Sequence, residues 1–385
     1  MKTMKNYSDI SCPSPSLRGR AGVGLLGLLC LLLCGCLTDF EPKDIDDVGD
    51  ILVVEGTITD DETTITLTRS VNLMDISSNP VYVPNAKVYV ECDDGTQFHV
   101  YNWNGQYKIK TGKLNPDLKY SLKIEIEECE HFDDRISLGM PCTSKTYVYG
   151  TEPSYPIQTP EIDSIFWTKR GMGQPVNIHV ATHSPYDEIL YYRWWFKEDW
   201  EINSPVALDD YPSNCWNYSI SSEIFLGSAE KTIFGKITDN IKEIPTWNKK
   251  LSGLYRIIVW QNAISKNAYD YFTNIKKNAE TMGTIFAPIP SEIRGNISCI
   301  TDPERHVIGF VEVTSTKTGQ RYIYSREVYE RPSGECPFKK LLEIDKGERY
   351  DWIQVSKDED SYVHRSCVDC TYNGANTNKP DNWPR

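Results

Sequence analysis

Alternating apolar and polar residues dominate the chain from residue 51 to residue 150. In the stretch TTITLTRS, Thr64, Thr66 and Thr68 alternate with Ile65 and Leu67, a period of two that is typical of a half-buried strand. Similar short segments recur with Gly, Asn and Asp turns between them: ILVVEGTIT, AKVYVEC, GQYKIK and KYSLKIEIE. The pattern predicts a mainly β fold that begins with an immunoglobulin-like β-sandwich over residues 51–150.

A second β-rich domain is expected beyond a proline-rich stretch. GTEPSYPIQTP has the composition of a linker between domains. The residues from 161 to 385 then contain longer apolar segments with strand composition: EIDSIFWTK, EILYYRWWFK, GLYRIIVWQ, VIGFVEVTS and QRYIYSRE.

One segment of this second domain has helical periodicity. Apolar residues recur at steps of three and four over residues 265–282, which predicts one main amphipathic helix. Ser265 is the expected N-cap and Gly283 the expected left-handed C-cap. We expect the apolar stripe to pack on the second sheet, and a groove for a binding partner is the alternative.

The N-terminal residues have the pattern of an export signal. Basic residues precede an apolar run, residues 21–33, that is too short to cross a bilayer as a mature helix. Residues 1–35 are therefore predicted to be a lipoprotein signal peptide. LCGC places Gly35 before Cys36 and resembles the lipobox of bacterial lipoproteins, which predicts Cys36 as the lipidation site. An uncleaved apolar anchor is the alternative.

A short acidic segment follows the predicted lipidation site. Residues 36–50 lack periodicity and are rich in Asp and Glu, so we expect a solvated tether. Asp39 and Glu41 resemble the surface-export signal of Bacteroidota lipoproteins. We therefore expect a lipid-anchored protein of the outer membrane, on the cell surface, with a plain linker and a periplasmic location as the alternatives.

Charge limits the choice of partners. The chain has a formal net charge of -13, and removal of residues 1–35 would delete four basic residues and Asp9, leaving a charge near -16. Nucleic acid is an improbable partner, because phosphate binding requires a basic surface.

Cysteines suggest disulfides in the exported chain. Beyond Cys36, the disulfide candidates are Cys92, Cys129, Cys142, Cys215, Cys299, Cys336, Cys367 and Cys370. An even number in an exported protein favours structural disulfides. CVDC also has the spacing of a zinc or redox pair, but no second close pair accompanies it. The spacing alone leaves the connectivity open.

A family resemblance extends over nearly the whole mature chain. LVVEGTIT, PNAKVYVECDDG, EIDSI, IFAPIPSEIRGNISC, VIGFVEV and CVDCTYNGANTNKPDNWP occur in this order. The chain thereby resembles the Bacteroidota lipoproteins of domain-of-unknown-function family 4249, with a departure at TYNGAN. The resemblance implies a TonB-dependent β-barrel receptor as partner and implies no chemistry for individual residues.

Catalytic motifs are not recognisable in the sequence. The chain contains no Gly-x-Ser-x-Gly elbow, phosphate-binding glycine loop or His-Glu-x-x-His. His179 and His183 are four residues apart, but their surroundings have strand composition and lack a third ligand. We predict no catalytic residues, no metal site and no cofactor. A surface hydrolase that uses paired carboxylates is the alternative.

A binding surface is the more specific expectation. In EILYYRWWFK, strand alternation places Tyr191, Arg193 and Trp195 on one face, as an aromatic and cationic platform for a ligand or a receptor. Burial of both faces is the commoner outcome for such a strand. We expect a non-catalytic accessory of a TonB-dependent transporter that assists nutrient capture. An envelope-maintenance lipoprotein is the alternative.

Overall fold

The structure is a computed structural model. It describes residues 51–71, 79–130, 143–184, 191–232, 235–245, 248–281, 295–328, 336–356, 359–372 and 374–384. The predicted signal peptide, the lipidation site Cys36, the acidic tether, Cys142 and Gly283 lie outside these residues. Residues 49–385 form one compact unit by their internal contacts, and the predicted domain boundary near residues 151–160 stays a prediction.

The mainly β fold class is confirmed. The strands in the N-terminal part are β1 (Leu52–Ile58), β2 (Asp61–Arg69), β3 (Val81–Tyr82), β4 (Lys87–Cys92), β5 (Gln97–Trp103), β6 (Tyr107–Gly112), β7 (Tyr120–Glu130) and β8 (Thr143–Thr151). The later strands are β9 (Ile162–Lys169), β10 (Val176–His183), β11 (Tyr191–Asn203), β12 (Asn214–Ile220), β13 (Phe225–Ser228), β14 (Lys236–Ile244), β15 (Leu254–Ala263), β16 (Ile297–Cys299), β17 (Val307–Gly309), β18 (Glu312–Val313), β19 (Thr316–Tyr324), β20 (Trp352–Gln354) and β21 (Tyr362–His364). The α-helices are α1 (Lys266–Thr281) and the short α2 (Ser325–Val328).

The N-terminal strands form one curved sheet, which we call the closed sheet. Its order is β16-β8-β7-β4-β5-β6-β2-β1-β17, with β3 beside β2 and β18 beside β1. Its two ends meet, because the backbone N–H of Asn296 donates to Gly309 O at 3.2 Å. The Asn296 side chain exchanges two further hydrogen bonds with the Val311 backbone, both 2.8 Å. The sandwich expected for residues 51–150 thus takes the form of a nearly closed sheet.

Alternation along the strands builds the core of the closed sheet. Ile65 and Leu67 of β2 are buried, whereas Thr64 and Thr66 point away from the core. Each fully buried aliphatic side chain contributes about 1.5–3 kcal/mol relative to exposure. The period-two pattern therefore predicted the inward face correctly.

The closed sheet contains strands that the sequence assigned elsewhere. VIGFVEVTS was expected to be one strand, and this is wrong. The structure divides it into β17 and β18, which both pair in parallel with β1. The intervening Phe310 packs against Tyr271 of α1, with ring centroids 5.4 Å apart. An apolar pattern predicts a strand but does not identify its pairing partner.

Two further sheets pack face to face, and we call this part the sandwich. One has the order β14-β10-β9 and the other β12-β11-β15-β19, with β13 also beside β11. Trp194 of β11 and Tyr255 of β15 share the core with Ile178 of β10. The expected helix is confirmed as α1, and the backbone N–H of Ala268 donates to the predicted cap, Ser265 Oγ, at 3.2 Å.

The chain passes from the closed sheet into the sandwich within two residues. β18 pairs with β1 of the closed sheet, and β19 pairs with β15 of the sandwich. The connecting Thr314 donates from Oγ1 to Ala263 O at 2.8 Å and lies 3.0 Å from Thr159 Oγ1. These buried hydrogen bonds fix the two parts against each other.

Disulfides hold the C-terminal segment, residues 336–384, which we call the tail. Cys215 of β12 is bonded to Cys370, and Cys336 is bonded to Cys367. Both cysteines of CVDC therefore have distant partners, as structural disulfides require. The tail also lies against the outer face of the sandwich, where Arg256 Nη1 donates to Asp381 O at 2.7 Å.

Two of the disulfide candidates are corrected by the structure. Cys92 and Cys299 are buried free thiols in the core of the closed sheet. Their strands, β4 and β16, are separated by β7 and β8, or about 14 Å along the sheet, whereas bridged cysteines need Cα atoms within about 7 Å. Free cysteine packs as a small apolar side chain.

Candidate functional site

A cleft lies where the closed sheet meets the sandwich. Its volume is about 300 Å³, near the lower end of ligand-sized pockets. β1, β2 and their connection contribute Gly56, Thr57, Thr59, Glu62 and Thr64, and the sandwich contributes Arg193, Trp195 and Thr316. This cleft contains two of the three residues that the sequence predicted as a binding surface.

Strand alternation in β11 explains why Arg193 and Trp195 face the cleft. Tyr192, Trp194 and Phe196 are buried in the core of the sandwich, so the residues between them point to the outer face. On that face Trp195 lies opposite Trp260 of β15. The two indole planes are within 13° of parallel, and their centroids are 6.2 Å apart. The stacking on Trp260 thereby restricts the orientation of the Trp195 ring.

Arg193 is the distinctive charged group of the cleft. Its guanidinium carbon lies 4.2 Å from the ring centroid of Phe272 in α1, a cation–π contact. Burial lowers the pKa of Arg193, while the charge of Glu55 opposes this shift from beyond ion-pair distance. The guanidinium nevertheless stays protonated, because the ordinary arginine pKa is far above neutrality.

The guanidinium of Arg193 has unused hydrogen-bonding capacity. Across the described ranges, no acceptor forms a hydrogen bond or a salt bridge with it. A guanidinium has five N–H donors in a planar array that matches a carboxylate or a phosphate. The cleft therefore presents an unpaired cation beside an aromatic ring.

The opposite wall of the cleft is polar and its charge is already balanced. Glu62 accepts hydrogen bonds from Lys108 Nζ at 2.8 Å and from the Tyr101 hydroxyl. These hydrogen bonds lower the pKa of Glu62, so the carboxylate is ionised at neutral pH. Thr57 and Thr64 add hydroxyl groups to the same wall. This wall can bind hydroxyl groups of a ligand.

A direct hydrogen bond connects the two walls. Thr59 Oγ1 of the closed sheet lies 2.7 Å from Thr316 Oγ1 of β19. Asn262 Nδ2, from the neighbouring strand β15, donates to Thr316 Oγ1 at 2.9 Å. A cleft whose walls are joined in this way is preorganised, which lowers the entropic cost of binding a ligand.

Tyr191 does not belong to this surface, and its prediction as a binding residue is corrected. It is only 6% exposed, because its ring packs against Tyr269 of α1 with centroids 4.8 Å apart. The Tyr191 hydroxyl donates to Glu230. Alternation predicted its face of β11 correctly, but the sequence did not show that α1 covers this end of the strand.

A second polar cluster, which sequence reasoning missed, lies at the edge of the sandwich. Glu198 of β11 is 1% exposed and lines a cavity of about 330 Å³. Its carboxylate accepts from Lys250 Nζ at 2.8 Å, Ser219 Oγ at 2.7 Å and the Tyr255 hydroxyl at 2.8 Å. Alternation in β11 was the available signal, because it turns Glu198 to the same side as Phe196.

The Glu198 cluster has the geometry of a charge network. Lys250 Nζ lies 3.3 Å from Ser219 Oγ, a spacing at which a neutral lysine could activate a serine. Here Lys250 Nζ also forms a salt bridge with the Glu198 carboxylate at 2.8 Å, so the cluster has the geometry of a charge pair rather than of a lysine directed at Ser219 alone.

The two histidines of β10 have separate partners. His179 Nε2 lies 2.8 Å from Thr168 Oγ1, and His183 Nδ1 lies 2.8 Å from an oxygen of Asp163. Among the residues that the structure describes, no group of three or more His, Cys, Asp and Glu side chains is arranged to hold a metal ion.

Comparison with protein families gives a match. A family model described as "Domain of unknown function (DUF4249)" matches residues 38–320, which include every residue of the cleft. The CVDC segment of the tail lies beyond the matched residues. A search of curated proteins found no match.

Proposed function

The chain belongs to the DUF4249 family, and we propose that it is a lipid-anchored outer-membrane accessory of a TonB-dependent transporter that captures a nutrient without catalysis. The observation that carries the proposal is the cleft, where Arg193 has no hydrogen-bonding or ionic partner among the described residues and the aromatic Trp195 lines the wall beside it. A buried or half-buried cation without a partner is costly for folding. Its presence in a preorganised cleft is better explained by a ligand than by stability.

The lipid anchor would serve capture by restricting the cleft to a membrane surface. The predicted modification at Cys36 would raise the effective concentration of the protein near a membrane receptor. Weak docking on that receptor would then be sufficient. Of the helices in the part of the chain that the structure describes, none has both the length and the apolar character that a membrane crossing requires.

A surface hydrolase has less support from the described residues. The most enzyme-like cluster contains Ser219 and Lys250, and there Lys250 Nζ is paired with the Glu198 carboxylate at 2.8 Å. In the cleft, the carboxylate of Glu62 is occupied by Lys108 and Tyr101. A general acid and base pair needs carboxyl groups that are free to exchange protons, so capture is the function that this geometry favours.

The anchor is tested by fractionation of cells that express Cys36→Ser. The expected result is loss of the protein from the outer-membrane fraction, because the acylated residue is removed. Cys34→Ser is the matched control, since that cysteine belongs to the predicted signal peptide and its variant should stay membrane-bound. Membrane retention of Cys36→Ser after a high-salt wash would refute the anchor.

The accessory role is tested by affinity isolation from membranes in mild detergent. A TonB-dependent receptor in stoichiometric amount supports the proposal. Growth of a deletion strain on defined nutrient sources gives the second readout, with complementation by the wild-type chain and by Arg193→Met. Isolation of the lipoprotein alone, together with unchanged growth on every source, would overturn the proposal in favour of an envelope-maintenance role.

A further inference from the structure

The cleft also indicates which class of ligand it accepts. We propose that it binds a carboxylated sugar, with the sugar ring stacked on Trp195 and the carboxylate paired with Arg193. This inference deepens the proposed capture function and rests on it for its physiological meaning. The binding chemistry itself depends only on the residues of the cleft.

The ligand carries one negative charge at the Arg193 end. Arg193 is the unpaired cation of the cleft, and the planar donors of a guanidinium match the two oxygens of a carboxylate. A phosphate carries a larger negative charge, which a single unpaired guanidinium would leave partly uncompensated. One unpaired cation facing a wall in which Lys108 already balances Glu62 therefore fits a monoanion better than a dianion.

A free amino acid fits less well, although it also carries a carboxylate. Its ammonium group would require an unmatched anion in the cleft. Glu62 is the carboxylate that lines the cleft, and Lys108 Nζ already pairs with it at 2.8 Å. Among the residues that line the cleft, the charge balance thus accommodates one added anion and no added cation, because Glu55 acts on Arg193 only from outside this lining.

Hydroxyl groups on the ligand follow from the threonines that line both walls of the cleft. Thr57, Thr59, Thr64 and Thr316 all line it, and each hydroxyl can donate and accept a hydrogen bond. Thr59 and Thr316 already share a hydrogen bond, but an aromatic acid would leave the hydroxyl groups of Thr57 and Thr64 without a ligand partner, which costs about 1–3 kcal/mol for each group that becomes buried. A polyhydroxylated ring satisfies them.

A sugar ring also matches Trp195. The ring is held nearly parallel to Trp260, 13° apart, and one face of a sugar ring presents apolar C–H groups that pack against an indole. A volume of about 300 Å³ suits a single sugar unit rather than an extended chain. The cleft is therefore expected to bind one acidic sugar unit, either as a free monosaccharide or at the end of an oligosaccharide.

The test is calorimetric titration of the full chain, extracted from membranes in mild detergent, with D-galacturonic acid and D-glucuronic acid. D-galactose and D-glucose are the matched neutral probes, and galactose 6-phosphate is the dianionic one. We expect at least one uronic acid to bind about tenfold or more tightly than its neutral partner, which corresponds to one charge-assisted hydrogen-bonded pair.

Variants assign the binding to the cleft. Arg193→Met should abolish the preference for the uronic acid, and Trp195→Ala should weaken the binding of acidic and neutral sugars alike. Arg193→Lys keeps the charge and loses the planar donors, so an intermediate preference is expected. Lys197→Met is the matched control, because Lys197 lies on the same face of β11, is bound to Asp199 at 3.0 Å and does not line the cleft. Thermal unfolding of each variant checks that the fold is retained.

The outcomes separate this inference from the proposed function. Equal binding of neutral and acidic sugars, tighter binding of the phosphate, or a preference that survives Arg193→Met would overturn the carboxylated-sugar assignment. No binding of any of these probes, with a growth defect in the deletion strain, would overturn the ligand class and leave the capture role standing. Uronic acid binding that depends on Arg193, in a strain without a growth defect or receptor partner, would support the ligand class and refute the transport role.

Discussion

The closed sheet and the sandwich are both β structures, but they are stabilised differently. The buried polar side chains of the closed sheet are hydroxyl groups: Thr63, Thr111, Ser121 and Thr151. The sandwich and the tail bury charged groups, namely Glu198, Asp199, Arg256 and Asp369, and contain both disulfides of the described residues. The difference teaches that the first part depends on closure around an apolar core, whereas the second adds paired charges and covalent links to an apolar core of its own.

Removal of one disulfide should have the largest effect. The bond between Cys215 and Cys370 closes a loop with a sequence separation of 155, and loss of such a link costs about 5 kcal/mol in the chain-entropy view. We expect Cys215→Ala combined with Cys370→Ala to lower the free energy of unfolding by this amount, measured by denaturant titration.

Hydrogen exchange then locates the effect of that double variant. We expect faster exchange in β12 and the tail than in β1 to β8. The removed disulfide joins β12 to the tail, whereas the cysteines Cys92 and Cys299 of the closed sheet are free thiols. Equal acceleration in both parts would contradict the distinction between them.

Loss of a buried ion pair should have the next largest effect. Arg256 donates to Asp199 Oδ2 at 3.0 and 2.6 Å, and both side chains are at most 4% exposed. Arg256→Met should cost about 3 kcal/mol, near the lower limit for a broken buried pair, because Lys197 retains its contact with Asp199.

A paired substitution sharpens that measurement. If desolvated charge is the cause, Arg256→Met with Asp199→Leu should be more stable than Arg256→Met alone, because no buried carboxylate is left with only one of its two cationic partners. A double variant that is less stable than the single one would show that packing, not charge, dominates at this position.

A methyl group at the seam of the closed sheet should have a smaller effect. Gly309 has φ of 157°, and a Cβ atom there would lie 2.4 Å from Val54 O and 2.9 Å from Ile297 Cδ1. We expect Gly309→Ala to destabilise the protein by about 2 kcal/mol, as overpacking typically does. Gly347→Ala is the matched control, since nothing lies within 4 Å of that Cβ position, and its thermal midpoint should be unchanged.

The smallest effect concerns acid stability. Burial by itself would raise the pKa of Glu198, but hydrogen bonds from Lys250, Ser219 and Tyr255 outweigh it, and the folded-state pKa is lowered below its ordinary value of 4.5. A lowered carboxyl pKa stabilises the folded state above the unfolded-state pKa, and this stability is lost as the pH falls through the folded-state pKa.

The corresponding experiment compares the wild type with Glu198→Gln. The wild type should lose stability as the pH falls below about 4.5, and the variant should show a flatter dependence over the same range. Denaturant midpoints at a series of pH values provide the measurement. Parallel curves for the two proteins would show that Glu198 does not contribute to the acid sensitivity.

Local patterns predicted much of this fold. Alternation in β11 identified Trp194 as a core residue and placed Arg193 and Trp195 on the outer face. The period of α1 and its cap at Ser265 were also predicted. These features depend on neighbours within a few residues, which the sequence displays directly.

Long-range features were not predictable from the same patterns. Val307 pairs with Leu52 of β1, and no property of either segment specifies that partner. Likewise, the absence of an ionic partner for Arg193 of β11 depends on which side chains β1 and α1 bring near it. The cleft residues of β1 and β2, such as Glu62, have the sequence signature of ordinary strand residues and were missed for this reason.

The large sequence separation between β1 and its partner β17 has a consequence for how the protein folds. A chain emerging from its N terminus would present the edge of β1 without its neighbour until residue 309 had been synthesised. Pairings between such distant segments slow folding, because a long loop must close before they form. An exposed edge also invites pairing with other chains. The nearly closed sheet should therefore complete last, and a chaperone that holds the chain until then would raise the yield of folded protein.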